Sequence, residues 1–275
     1  MQGVELGAVE LTPAIGSEIH VDVETLLAGT VADQVRALLV ERGVVVMRGL
    51  HLDDDQQRAF THTLGELRLG TVYEQENAGM LKITHLAGTY FWHMDGTYDE
   101  VPPFASILSA RSVPPEGGET EFANTQAAYD DLPDDDKAQL ETLEVWHSMR
   151  ASQTWAYDRP TLEQMAMWME YERQQPLVWR RESGRRSLVI GSTSSYVVGM
   201  HPAESRALID RLLAHATQER YVYRHRWQAG DLVMWDNTRT LHRVLPHDGQ
   251  HPRVMHRFTL EGTEPFRGAS QLASA

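Results

Sequence analysis

The sequence predicts a β-rich α+β domain, a β-sandwich or jelly roll decorated by helices. Three observations predict it. Strand-like runs fall in two blocks, at 72–108 and 221–260, on either side of a helical insert. The length of 275 residues suits one well-packed domain. No internal repeat, low-complexity tract or linker divides the chain, so residues 1–275 are expected to form a single domain.

Taken in order, Val31, Val35, Leu38 and Leu39 recur at helical spacing, and Gly43 stops that helix. Val44-Val45-Val46-Met47 then reads as a fully buried strand. The run Asp53-Asp54-Asp55-Gln56-Gln57 is a helix N-terminus, where Asp caps free amides and complements the helix dipole, and the helix should span Asp54 to Leu64. From Val72 to Leu108 the pattern is strand-like, interrupted by Gly88, Gly96 and Pro102-Pro103. Short helices are expected at Asn124–Asp131 and Asp134–Leu143, flanking Leu132-Pro133. The segment Ala151–Arg173 carries Trp155, Tyr157, Met165, Met167 and Trp168, a core pattern in a place where a lid would also sit. Leu208, Leu212 and Leu213 mark a helix after Pro202. Strands follow at Tyr221–Tyr223, at Leu232–Trp235 after an Ala229-Gly230-Asp231 turn, and at Arg253–Leu260.

Composition excludes several classes of function. There is no cysteine, so disulfides, cysteine-ligated zinc or iron–sulfur sites and thiol catalysis are ruled out. A net charge of −14 opposes nucleic acid as a partner, because binding there depends on clustered Lys and Arg. No run of apolar residues is long enough for a membrane span, and the first residues lack the basic and apolar regions of a signal peptide. A cytoplasmic protein, a homo-oligomer acting on a small molecule, is expected.

His-x-Asp occurs three times, at His20/Asp22, His51/Asp53 and His93/Asp95. In an acidic chain with 13 His, such pairs arise by chance. His51 and Asp53 belong to the helix start, and His20 and Asp22 have no downstream support. Only His93/Asp95 has aromatic neighbours (Phe91, Trp92), a glycine just after it (Gly96) and a matching distal segment, Asp236 to Arg257. On an extended strand His93 and Asp95 point the same way, forming one side of a mononuclear metal site. His242 is the candidate third ligand. Arg253 and Arg257, four apart on a strand, share a face. Taken singly each would be a solvated surface arginine. Beside two His and one carboxylate on ferrous iron they acquire a purpose. A 2-oxo acid chelates two of the three open positions and O₂ takes the third. Fe(II) with one Asp is +1, dianionic 2-oxoglutarate brings the site to −1, and a guanidinium on the far carboxylate restores neutrality. A hydroxyl such as that of Thr120 supplies a further hydrogen bond.

At these residues the chain resembles the TauD/TfdA family of Fe(II)/2-oxoglutarate-dependent dioxygenases over nearly its full length. The matching stretches are Trp92-His93-Met94-Asp95-Gly96-Thr97, Pro114–Ala123, Ala127–Asp130, and Trp235-Asp236-Asn237 with His242-Arg243. The resemblance implies a double-stranded β-helix (jelly roll) core with flanking helices. It implies His93, Asp95 and His242 as iron ligands, and Thr120 with Arg253 as the 2-oxoglutarate grip. Arg257 would lie near both cosubstrate and substrate, and Tyr73 and Gly96 on the substrate side.

Ser106–Arg111, Thr120-Glu121-Phe122 and Asp231–Trp235 are more similar to the 2,4-dichlorophenoxyacetate branch. Where the taurine enzymes place a sulfonate-binding His just before a Tyr, this chain reads Gly70-Thr71-Val72-Tyr73, so taurine is not the expected substrate. The implied reaction is hydroxylation of a C–H bond of a small organic acid, coupled to decarboxylation of 2-oxoglutarate to succinate. Three alternatives compete. A halogenase would need the coordination position that Asp95 fills. A jelly-roll binding protein would use the pocket without turnover. A zinc hydrolase would leave Arg253 and Thr120 without a role.

Overall fold

The computed structural model describes residues 6–69, 72–83 and 87–269. A seven-stranded sheet runs Ala8–Glu10, Ser17–Ile19, Val44–Met47, Leu232–Asp236, Ala105–Ser112, Val254–Leu260, Leu81–Ile83 in spatial order. All neighbours are antiparallel except Ser17–Ile19 beside Val44–Met47. A three-stranded sheet, Val222–His225, Thr120–Asn124 and Thr240–Val244, packs against it.

Strand alternation sorts the side chains into layers. Val45, Met47, Ile107, Leu232 and Met234 leave one face of the large sheet and meet Val35, Leu39, Phe60 and Leu64 of the helices Ala32–Arg42 and Asp54–Leu64. Val44, Val46, Leu108, Val233, Trp235 and Met255 leave the other face and meet Phe122 and Tyr223 of the small sheet. Behind the small sheet, Ala123 and Leu241 pack with Trp179, Leu188 and Leu212. The inner layer between the sheets is where His242 projects.

The expected helices are present. Asp53 caps Asp54–Leu64 through a box with Gln56, and Gly43 ends Ala32–Arg42 in the left-handed region at φ 75°. Thr125–Asp130, Asp134–Leu140 and Pro202–Ala216 fall at the expected places. The 72–108 segment differs. Among its described residues only Leu81–Ile83 and Ala105–Ser112 are strands, and between and before them lie the Val72–Glu76 helix, a 3₁₀ turn at Ala87–Tyr90 and turns through Asp99. Positive φ at Ala78, Gly79 and Gly96, followed by Pro102-Pro103, breaks any continuous ladder.

The insert forms the helices Met149–Gln153 and Leu162–Met169, beside a sheet of Ser194–Val197, Glu144–Ser148 and Glu172–Pro176. Of its aromatic and Met residues only Trp168 is a core residue. Trp155, Tyr157 and Met167 are 57%, 40% and 49% exposed, so the core pattern held at a single position.

One buried group there makes stability depend on pH. His147 is fully buried, with Nδ1 2.9 Å from Thr193 Oγ1, and burial pushes its pKa down to about 3. Folded, it stays neutral; unfolded, it takes a proton below about pH 6.5. The unfolded state therefore binds more protons between about pH 6.5 and 3, and stability falls as pH drops through that window. This group contributes up to roughly 1.4 kcal/mol per pH unit. Urea midpoints at pH 7 and pH 5 should converge in His147→Gln relative to the parent. Equal losses in both proteins would place the acid sensitivity elsewhere.

Candidate active site

His242 stands on the inner face of the small sheet, its ring 4.8 Å from that of Trp235 and 6.4 Å from that of Phe122. His93 is brought to it by backbone pairing. His93 N donates to His242 O at 3.1 Å, and His242 N donates to His93 O at 2.8 Å. This single antiparallel bridge replaces the strand expected at 91–97. It still sets the two imidazoles 4.1 Å apart, centroid to centroid. His93 Nδ1 lies 2.8 Å from Phe91 O, which fixes that nitrogen as the donor and leaves Nε2 with its lone pair.

Asp95 completes the set. Its Oδ1 lies 3.9 Å from His93 Nε2 and 3.8 Å from His242 Nε2. Its Oδ2 accepts from Ser106 Oγ and from Arg257 Nη1, both at 3.2 Å. One oxygen is thus fixed by the protein and the other turned to the histidines. Burial raises the pKa of Asp95, but Arg257 and the two imidazoles more than reverse this and hold it at about 2. His242 is pushed down to about 3 by burial and by His93, so it is a neutral imidazole. Three donor atoms within 4.8 Å of one another, one carboxylate oxygen and two imidazole nitrogens, fit a divalent cation.

The loop after Asp95 is held tightly. Gly96 has φ 77°, and a Cβ there would lie 2.3 Å from Pro103 Cδ, so glycine lets the chain turn against the prolines. Gln175 Nε2 donates to Thr97 O at 3.0 Å and to Asp99 O at 2.8 Å, and Thr97 Oγ1 sits 2.9 Å from Thr193 Oγ1. Gln175 and Thr193 were not foreseen from the sequence, because neither carries a spacing signal.

A buried cation lies just before the Val254–Leu260 strand. Arg253 is 5% exposed, its Nε donating to Gly118 O at 3.0 Å and its Nη2 3.4 Å from Thr120 Oγ1. Among the described residues it forms no ion pair with a carboxylate, and burial pulls its pKa down to about 10. Arg257, by contrast, is already engaged with Asp95. Tyr73 lies in the Val72–Glu76 helix with its side chain outside the description, and Gly70 and Thr71 lie outside the described residues. A cleft of about 640 Å³ on the far face of the small sheet, walled by Arg224, Arg243 and Glu121, holds none of these groups.

Two histidines and a carboxylate, with the Arg257 guanidinium on that carboxylate, form a candidate mononuclear metal centre. Residues 8–259 match the family described as taurine catabolism dioxygenase TauD, TfdA family. The α-ketoglutarate-dependent 2,4-dichlorophenoxyacetate dioxygenase of Cupriavidus pinatubonensis is 35% identical over 267 residues, 87% of this chain and 91% of that one. The α-ketoglutarate-dependent sulfate ester dioxygenase of Pseudomonas putida is 33% identical, covering 98% of this chain and 94% of that one. The crystal structure of AAD-2 in complex with Mn(II) and N-oxalylglycine superposes with a TM-score of 0.85 at 34% identity, covering 96% of this chain and all of that one. The chain belongs to the TauD/TfdA family of dioxygenases and is an oxidoreductase. Among the described residues no helix is long and apolar enough to cross a membrane.

Proposed function

We propose that the chain is an Fe(II)- and 2-oxoglutarate-dependent dioxygenase that hydroxylates a C–H bond of a small organic acid of aryloxyalkanoate type. One observation carries this reading: three convergent ligand atoms occur together with a buried Arg253 that reaches Thr120 and that no described carboxylate neutralises. Burying an unpaired guanidinium is costly, and the cost is met when an anionic ligand docks. The two facing sheets support a double-stranded β-helix as the core.

His93 Nε2, His242 Nε2 and Asp95 Oδ1 would hold the iron from one side and leave its remaining positions to ligands. Bound iron, with 2-oxoglutarate and dioxygen, supplies decarboxylation to succinate and oxidation of a substrate C–H bond. Arg253 and Thr120 grip the distal carboxylate of 2-oxoglutarate. Arg257 orients Asp95 through Oδ2, and its Nε, buried with no hydrogen-bond partner among the described residues, is assigned to the substrate's acidic group. The family resemblance assigns Tyr73 and Gly96 to the substrate side. Aryloxyalkanoates and sulfate esters, named for the relatives, share a C–H beside an oxygen. Hydroxylation there yields a carbon bearing two oxygens, which collapses and releases the phenol or the sulfate.

The test is a panel of aryloxyalkanoates, alkyl sulfonates and sulfate esters, scored for succinate release stimulated by substrate. Strongest stimulation by an aryloxyalkanoate is expected. Stimulation by sulfate esters alone would transfer the substrate class, and no succinate with any compound would remove the oxidative reading.

A further inference from the structure

Thr120 Oγ1 receives two N–H groups. Trp227 Nε1 donates to it at 2.9 Å, and Arg253 Nη2 lies 3.4 Å away. A hydroxyl has one proton and two lone pairs. With both lone pairs facing N–H donors, the oxygen can only spend its own proton as a donor. A carboxylate, which accepts and never donates, is the matching ligand. We infer that Trp227 is a positioning residue that fixes the Thr120 hydroxyl as a donor to the distal carboxylate of 2-oxoglutarate, an inference that rests on the site reading given above.

The indole is itself held by a buried column. His225 pairs with Thr120 in the strand register, and Trp227 lies two residues further along the same chain. The His225 and Trp227 rings meet edge to face at 4.4 Å. His225 is fully buried between Tyr223 OH, 3.0 Å from Nδ1, and Asp231 Oδ2, 3.2 Å from Nε2. Asp231 in turn accepts from Arg48 Nη1 at 2.7 Å and from Gln228 N at 2.9 Å. Each member limits the freedom of the next, so the indole N–H has little choice of direction. An indole that merely found the nearest acceptor would not need such support, and it would not couple to ligand binding.

The experiment titrates 2-oxoglutarate calorimetrically into metal-loaded protein without oxygen. It uses the parent, Trp227→Phe, Thr120→Val and the double variant. Trp227→Phe keeps the ring and deletes the N–H, and should weaken 2-oxoglutarate about fivefold to tenfold. Thr120→Val should weaken it at least as much, and the double variant no further, because Trp227 acts through Thr120. Parent-like affinity in Trp227→Phe, or two effects that multiply, overturns the inference. No binding to the parent protein overturns the site reading instead. Should Trp227→Phe not fold, nitrogen-15 labelling of the seven tryptophans poses the same question. One indole N–H signal should shift in Thr120→Val and keep its place in Thr120→Ser. An unchanged set of signals in Thr120→Val sinks the proposal.

Discussion

Asp95→Asn is expected to lose metal binding and product formation together. The substitution keeps the shape of the side chain and removes its charge. Asp95 now divides its oxygens, Oδ1 toward the two histidine Nε2 atoms and Oδ2 toward Ser106 and Arg257. An amide cannot serve both sides. Turning its oxygen to the metal points its NH₂ at the guanidinium, and the reverse points NH₂ at the metal. Either way Arg257 loses its carboxylate; the pair is part-buried, so the about 3–5 kcal/mol cost of breaking a fully buried pair is an upper bound. At 1.4 kcal/mol per tenfold, the combined loss is at most about two to three orders of magnitude. Anaerobic Fe(II) titration and succinate assays on the same sample measure it. Product at the parent rate would take Asp95 out of the ligand set. Asp99, the next carboxylate along, is tied to Arg68 at 2.9 Å, so it is poorly placed to substitute.

Arg253 and Arg257 should fail differently when replaced by alanine. Arg253 is the buried cation without a described carboxylate partner, so its removal strips the counter-charge from 2-oxoglutarate alone. The same scale of about 3–5 kcal/mol applies, and Arg253→Ala should raise the dissociation constant for 2-oxoglutarate about a hundredfold or more. Arg253→Lys keeps the charge, loses the planar fork and should fall between. Arg257→Ala leaves Asp95 Oδ2 held by Ser106 alone and empties the wall beside it. Metal affinity should drop moderately, substrate affinity should drop, and succinate should exceed hydroxylated product. Paired constants for 2-oxoglutarate and an accepted substrate decide. If Arg257→Ala harms only 2-oxoglutarate and Arg253→Ala only substrate, the roles are exchanged. If neither departs from the parent, both are ordinary structural arginines.

Local chemistry made the helices legible. The acidic cap at Asp53 and the stop at Gly43 act within one turn, and the structure has both helix ends there. The metal residues were legible because an i, i+2 pair with aromatic neighbours narrows the choice among three His-x-Asp pairs. The course of 72–104 was not, because distant partners hold it: His93 on His242, Gln175 under Thr97, Arg68 on Asp99. The strand Thr240–Val244 was also hidden. Its sequence, Thr-Leu-His-Arg-Val, puts a metal ligand and a charge where a strand pattern expects apolar residues. The engagement of Arg257 with Asp95 and of Trp227 with Thr120 joins sheets and loops that sequence spacing does not relate.

The two backbone hydrogen bonds between His93 and His242 connect a turn-rich loop to a sheet strand, with no further ladder on either side. A bridge that small opens by local fluctuation, without global unfolding. When it opens, two of the three metal-binding side chains separate at once. A metal held by both imidazoles would add its bonds to these two hydrogen bonds, so opening of the clasp and release of the metal are linked: whatever loosens the one favours the other.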